Sequence, residues 1–380
     1  MRGCRQTLAA FVAALSLPVA LGAQRAVAAT GRPDDPRTIM ARALALPPGG
    51  IDTLMALEIG GIKQWISVRG ADPSNPILLF IHGGPGSPMM PESWTFERPW
   101  EDFFTVVQWD QRNAGKTFSA AGRKPDSHLT IDRMQADAEA LVDSLRHRYG
   151  KQKIFLMGHS WGSILGLRVA QARPEWLYAY IGVGQVVNGM RNEVVGYRQT
   201  LAEARRVGND SAVRALGALA PYPDPGRPLS MDKVIAERRW DVALGGMLYG
   251  KSRDPSSDAW RLSPDYTAYD DTSAMLGIGI SVKALLPAMA ATDFDADTVF
   301  RTPVFIFAGR DDRTTPESEA AAFFDHIHAP AKTFFEIDHA AHYVVNEAPG
   351  VVLLDLVQHV RPLAGPNSGD RRQGIDHTHI

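Results

Sequence analysis

A mostly parallel α/β sheet, with helices on both faces and an inserted helical lid, is the fold class that the sequence predicts, and three observations predict it. Short apolar runs alternate with longer helical patterns along most of the chain. One of these runs ends in a glycine-flanked serine that opens a helix. A single long stretch between two of the runs breaks the alternation.

The apolar runs are Lys63 to Val68, Ile77 to Ile81, Thr105 to Trp109, Ile154 to Met157, Tyr180 to Val183, Val304 to Ala308 and Thr333 to Ile337. Runs this short and this apolar suit strands buried on both faces. Between them, Ile131 to Tyr149 carries Met134, Ala138, Leu141, Val142 and Leu145 at helical spacing, and Ser163 to Ala172 and Val351 to Val360 read as further helices. The interrupting stretch holds Ala- and Leu-rich segments, the Pro-rich turn Pro221-Tyr222-Pro223-Asp224-Pro225 and several aromatic residues. It reads as a helical lid over residues 186–298, splitting the core into 51–185 and 299–364. Residues 29–50, rich in Pro, Asp, Arg and Gly, read as a linker or arm without regular structure. The polar stretch 365–380 reads as a disordered tail.

The chain has 380 residues, 45% of them hydrophobic, enough for a large packed core. Its 40 Lys and Arg balance 42 Asp and Glu, for a formal net charge of -2. That balance supplies no long-range field for nucleic acid or anionic membrane, so the expected partner is a small molecule. Arg2 and Arg5 precede an almost wholly apolar run from Leu8 to Gly22, with small-residue sites following at Leu21-Gly22-Ala23 and Ala26-Val27-Ala28. Residues 1–28 therefore read as a secretory signal peptide, too short and too interrupted by Pro18 for an anchor, and the expected location is periplasmic or secreted. No later segment reads as a bilayer span. The one cysteine, Cys4, lies within that signal. Cleavage would leave no thiol for a disulfide or a thiol nucleophile.

Gly158-His159-Ser160-Trp161-Gly162 follows an apolar strand and opens a helix, the setting of a nucleophile elbow. Glycine is needed on both sides because the turn is too tight for side chains. A serine hydroxyl is a weak nucleophile at neutral pH, so it requires a base within reach and an anion that holds the base in one tautomer. Both should come from late loops. Gly309-Arg310-Asp311-Asp312 follows one strand, making Asp312 the expected acid with Asp311 as competitor. Asp338-His339-Ala340-Ala341-His342 follows the last strand, and His342 is preferred over His339 because small Ala341 leaves room for a ring to turn inward. The order serine, acid, histidine is that of the α/β-hydrolase fold. For the oxyanion, His82-Gly83-Gly84-Pro85-Gly86 supplies a glycine-rich turn after a strand, and the expected donors are the backbone N–H groups of Gly84 and Trp161. No Lys-Ser/Thr pair follows that turn, so it does not read as a phosphate loop.

Taken with Trp109-Asp110-Gln111-Arg112, the motifs around Gly83 and Ser160 resemble the proline iminopeptidase family of α/β-hydrolases. The resemblance covers roughly Ile51 to Val183 and Arg301 to Pro362, and puts Ser160, Asp312 and His342 at the triad positions. It implies release of N-terminal proline or a small residue from short peptides, with no metal and no organic cofactor. In the family, lid glutamates bind the substrate's free α-amino group. The lid region here holds Glu193, Glu203 and Glu237, of which Glu193 is the first candidate. The chain departs from the family after Arg112, where Asn113-Ala114-Gly115-Lys116-Thr117 stands in place of the usual Gly-x-Gly-x-Ser. Two other readings stay open: an esterase, lactonase or amidase using the same triad on a neutral substrate, and a non-catalytic binding protein, against which the set of triad and oxyanion candidates counts. Dehalogenase and epoxide hydrolase chemistry would need an aspartate where Ser160 stands.

Overall fold

The computed structural model describes residues 36–251 and 256–365; the signal-peptide reading and the tail beyond Gly365 fall outside them. Among the described residues, eight strands form one sheet: β1 (Ile51–Ile59), β2 (Ile62–Gly70), β3 (Ile77–Ile81), β4 (Thr105–Asp110), β5 (Ile154–His159), β6 (Leu177–Val183), β7 (Val304–Gly309) and β8 (Lys332–Ile337). Their spatial order is β1-β2-β4-β3-β5-β6-β7-β8. The β1–β2 and β2–β4 pairs are antiparallel, and every pair from β4 through β8 is parallel. Each expected strand is present, and most extend a little beyond their apolar runs. β1 has no run of its own, because Asp52, Thr53 and Glu58 break its apolar pattern at an edge that is only half-buried.

Alternate residues of the central strands feed two cores, as a pleat with period two requires. Ile77, Leu79 and Ile81 of β3 pack with Leu156, Ile306 and residues of α3 (Ile131–Arg148), α4 (Trp161–Ala172) and α10 (Glu317–His326). Leu78 and Phe80 point the other way, with Phe155, Met157, Ile181 and Phe307, toward Trp100 and the C-terminal helices α11 (Val344–Glu347) and α12 (Pro349–Asp355). The expectation that all strands are buried on both faces fails at β8, an edge strand in which Ile337 alone is fully buried.

Among the described residues, five helices lie between β6 and β7: α5 (Gly189–Arg206), α6 (Asp210–Gly217), α7 (Met231–Ala243), α8 (Ser256–Leu262) and α9 (Ala268–Ala290). Where this insertion leaves and rejoins the core, Gly189 N–H donates to Thr292 O at 2.9 Å and Phe294 N–H to Val187 O at 3.0 Å. α9 begins at a capping box, in which the Thr267 hydroxyl and the Asp270 carboxylate each take the other's backbone N–H. It then packs on α2 (Gly115–Ala120), so closely that a Cβ at Gly277 would clash with Asn113 O. Two sequence expectations need correction here. The region before β1 is not wholly irregular, since α1 spans Pro36–Ala43. By length and composition alone α9 is long and apolar enough to cross a membrane, so the expectation that no later segment reads as a span does not hold on those two criteria.

Candidate active site

Ser160 is the residue between β5 and α4, at φ 54° and ψ -120°. A positive φ is uncommon for a residue with a Cβ and costs of order 1–3 kcal/mol unless its surroundings hold it. They do hold it. Ser160 N–H donates to Val183 O on β6 at 2.9 Å, and Ser160 O accepts from Ser163 N–H at 2.8 Å and from the Ser163 hydroxyl at 2.6 Å. Both flanking glycines are required by contact: a Cβ at Gly158 would clash with Gly162 O, and one at Gly162 would clash with Ile81 O. The helix starts at Trp161, two residues earlier than its apolar pattern suggests, so the serine sits directly at a helix N-terminus.

The expected acid and base come from the loops after β7 and β8. A Cβ at Gly309 would strike Ala341 O, so the two loops touch. Asp312 is buried, and His342 Nδ1 lies 2.9 Å from its Oδ2. The Thr315 hydroxyl donates to the same oxygen at 2.7 Å, and the backbone N–H groups of Thr314 and Thr315 donate to Oδ1 at 2.9 and 2.8 Å. An acceptor-only carboxylate at Nδ1 places the imidazole proton there and leaves Nε2 with a free lone pair. Asp311 instead gives its N–H to Ala340 O, and His339 is exposed, with its Nδ1 3.1 Å from the Tyr249 hydroxyl.

His159 sits beside His342, its ring centroid 4.8 Å from that of His342 and its Nε2 2.9 Å from His342 O. Burial, with a smaller push from His342, lowers its pKa to about 3, so it donates to that carbonyl as a neutral ring. Glu347 braces the same loop by accepting the N–H of Ala341 at 2.7 Å and of Tyr249 at 2.5 Å. Of these supporting residues, Thr315 alone carries a local sequence signal: it stands three residues after an aspartate, an Asx-type turn pattern. His159 is one of the elbow's variable positions, and Glu347 reads from sequence only as the start of a helix.

Ser160, His342 and Gly84 line one cavity of about 430 Å³. Gly83 also approaches the serine, since a Cβ there would lie 3.1 Å from Ser160 Cβ. Trp161, as the first helical residue, has no carbonyl one turn behind it to accept its N–H. The outer walls are apolar side chains of the insertion, among them Val234 and Ile235 of α7 and Ile278, Val282 and Leu286 of α9. Glu193 also lines the cavity, but it is not a surface helix residue. Its Oε1 accepts from Arg238 Nη2 at 2.6 Å and its Oε2 from the Tyr222 hydroxyl. Arg238 additionally pairs with Glu237, while Glu203 pairs with Arg206. Glu92, which precedes β4 and so lies outside the lid where the sequence points, contributes a second cavity-lining carboxylate. Among the described residues no group of three or more His, Cys, Asp or Glu side chains is placed to hold a metal ion.

The profile of the family described as serine aminopeptidase, S33, matches residues 101–349, which include the elbow and both late loops. The chain belongs to this family. The probable aminopeptidase YbaC of Bacillus subtilis (strain 168) is 30% identical over 319 residues, covering 82% of this chain and 97% of that protein. The proline iminopeptidase of Neisseria gonorrhoeae is 33% identical over 119 residues, 31% of this chain and 36% of that enzyme. In three dimensions the S33 chain superposes on a proline iminopeptidase-related protein of Thermus thermophilus with a TM-score of 0.57 at 18% identity, covering 83% of this chain and 98% of the other. A 2-hydroxy-6-oxo-6-phenylhexa-2,4-dienoate hydrolase of Rhodococcus sp. strain RHA1 gives 0.54 at 18% identity, over 82% and 99%. At such identities the superpositions establish the α/β-hydrolase fold alone. The family membership establishes a hydrolase.

Proposed function

We propose that this S33 hydrolase is a serine aminopeptidase, working through an acyl-enzyme to release N-terminal proline or another small residue from short peptides. The observation that carries the reading is the convergence of a strained serine and a histidine on one cavity, with a buried aspartate behind the histidine setting its tautomer. His342 Nε2 takes the Ser160 proton as Oγ attacks the acyl carbon, then returns it to the leaving amine; water repeats the sequence on the ester. The developing oxyanion is received by the N–H groups of Gly84 and Trp161. Glu193, with Glu92 as a second carboxylate on the cavity wall, attracts the substrate's α-ammonium group. The exported location read from residues 1–28 belongs to this proposal as well.

One observation favours the second reading, an esterase or amidase on a neutral substrate. Both Glu193 oxygens are already engaged, by a cation and a phenol, and an incoming ammonium group must share them. The assay that separates the readings compares Pro-, Ala- and acetyl-Pro-arylamides with a p-nitrophenyl ester, using Ser160→Ala as control. Cleavage of the free-amine substrates but not the acetylated one supports the aminopeptidase. Turnover of the ester alone leaves the triad standing and defeats the peptide reading.

A further inference from the structure

We propose that Gln111 is a positioning residue that holds the two segments of the oxyanion hole in register with each other. The proposal rests on the serine-hydrolase reading but concerns a side chain outside the catalytic triad. Gln111 is fully buried just after β4, and three of its polar groups reach the segments that carry the oxyanion donors. Its Oε1 accepts from the Trp161 indole Nε1 at 3.0 Å, and its Nε2 donates to His82 O at 3.0 Å. Its backbone N–H points at His82 Nε2, 3.3 Å away.

These contacts fix one another's polarity. The Trp161 indole can only donate, so it sets the oxygen of the Gln111 amide toward α4 and the NH2 group toward His82. The Gln111 N–H can only donate, so His82 Nε2 must accept, and the ring proton is on Nδ1. His82 Nδ1 lies 2.9 Å from Gly83 O and therefore donates to it. Ser87 N–H reaches the same carbonyl at 3.2 Å. Gly83 O and Gly84 N–H belong to one planar peptide unit. Holding the carbonyl thus sets the direction in which the Gly84 N–H points. The path runs from the side chain of Trp161, through Gln111, to the ring and carbonyl of His82 and on to the 83–84 peptide plane. One donor is on the residue at its first end and the other is in the peptide at its last.

The alternative is that Gln111 only fills and satisfies a buried polar site. The two roles differ in what they do to catalysis. A misaimed donor weakens binding of the tetrahedral species and leaves ground-state binding alone, so kcat falls while KM stays. The experiment uses Gln111→Met, similar in shape and without a comparable donor or acceptor, and Trp161→Phe, which keeps an aromatic ring and loses the indole N–H. Gln111→Glu serves if the methionine variant fails to fold, since it keeps an acceptor for Trp161 and sets an oxygen in place of the donor against His82 O. For each, kcat and KM, the affinity of a boronic acid analogue of the acyl residue, the rate of fluorophosphonate labelling and the thermal midpoint are measured. The expected result for a Gln111 variant is a fall in kcat of about 10- to 100-fold, part of the cost of losing one oxyanion donor outright, with KM within about threefold. Boronate affinity and labelling rate should fall with kcat. Trp161→Phe should lower kcat in the same direction, and the double variant should lose less than the product of the two factors because both cut one path. Unchanged kcat in a folded Gln111 variant overturns the proposal, as does a rise in KM with boronate affinity intact. If the wild-type protein itself is not labelled at Ser160, the serine-hydrolase reading fails, and this proposal with it.

Discussion

Among the described residues, the Asp312 carboxylate receives four donors, of which only one is the imidazole. Asp312→Asn should therefore fold normally, since its oxygen can still accept the turn N–H groups. Its NH2 would face Nδ1 and favour the wrong tautomer, with a loss in kcat of about 10⁴-fold by analogy with serine proteases; a loss below tenfold would show that the carboxylate does not orient the base. Glu193 makes a different prediction, because its partners are the buried Tyr222 and the half-buried Arg238. Glu193→Gln should raise KM for free-amine arylamides by about tenfold, from loss of a charge-assisted contact, and leave acetylated substrates or esters unchanged. It should also lower stability by about 1–3 kcal/mol, since Arg238 keeps Glu237 but loses one ionic partner. Equal KM changes for free and blocked substrates would remove Glu193 from amine binding.

At the level of elements, α9 is a cavity wall tied firmly to the core. Lys116 Nζ lies 2.8 Å from Asp270, the Tyr266 hydroxyl donates to Asp110, and Arg123 Nε reaches Ser273 Oγ at 2.8 Å. Close approach is possible only because Gly277 faces the Asn113 carbonyl. Gly277→Ala should push the helix outward, lowering the thermal midpoint by several degrees and raising KM more than it lowers kcat, since Ile278 moves with the helix while Ser160 does not; an unaltered midpoint would mean that the helix is looser than its contacts imply. The core strands are legible in the sequence because a strand buried on both faces leaves a continuous apolar run. The elbow is legible because steric crowding admits only glycine at 158 and 162. β1 and α1 are not, since half-buried elements at the edge mix polar and apolar residues without a clean period. The insertion's internal chemistry is not legible either: Glu193, Tyr222 and Arg238 meet across 29 and 45 residues of chain, and no local spacing encodes that meeting.

For the molecule as a whole, four buried groups bias how stability depends on pH. Burial raises Asp110 from 3.8 to about 7 and Glu97 from 4.5 to about 8, and lowers His82 from 6.5 to about 4 and His159 to about 3. The two carboxyls are protonated more readily in the fold than in the open chain, so they add stability as pH falls from about 8 toward 6.5. Below about 6.5 the unfolded chain protonates its histidines while the fold does not, which offsets that gain, and below about 4.5 the carboxyls of the unfolded chain are protonated too. Urea unfolding should thus show a rise from about pH 8 to 6.5, a plateau to about 4.5 and a fall beneath it. A stability that climbs without a break from acid to alkaline pH would contradict this. The neck of the insertion has a consequence of another kind. The proposed catalytic residues sit in loops of the sheet, whereas most of the cavity's outer wall belongs to an insertion that leaves and rejoins the core through a stalk clasped by the Gly189–Thr292 and Val187–Phe294 backbone bonds and that touches the core again along α9. Main-chain bonds of this sort constrain few side chains. Exchanging the insertion at this seam can therefore leave the Ser160 turn as it is, provided that a foreign roof restores the contacts that α9 makes with α2, which makes the stalk and that helix pair together the unit of recombination and of chimera design.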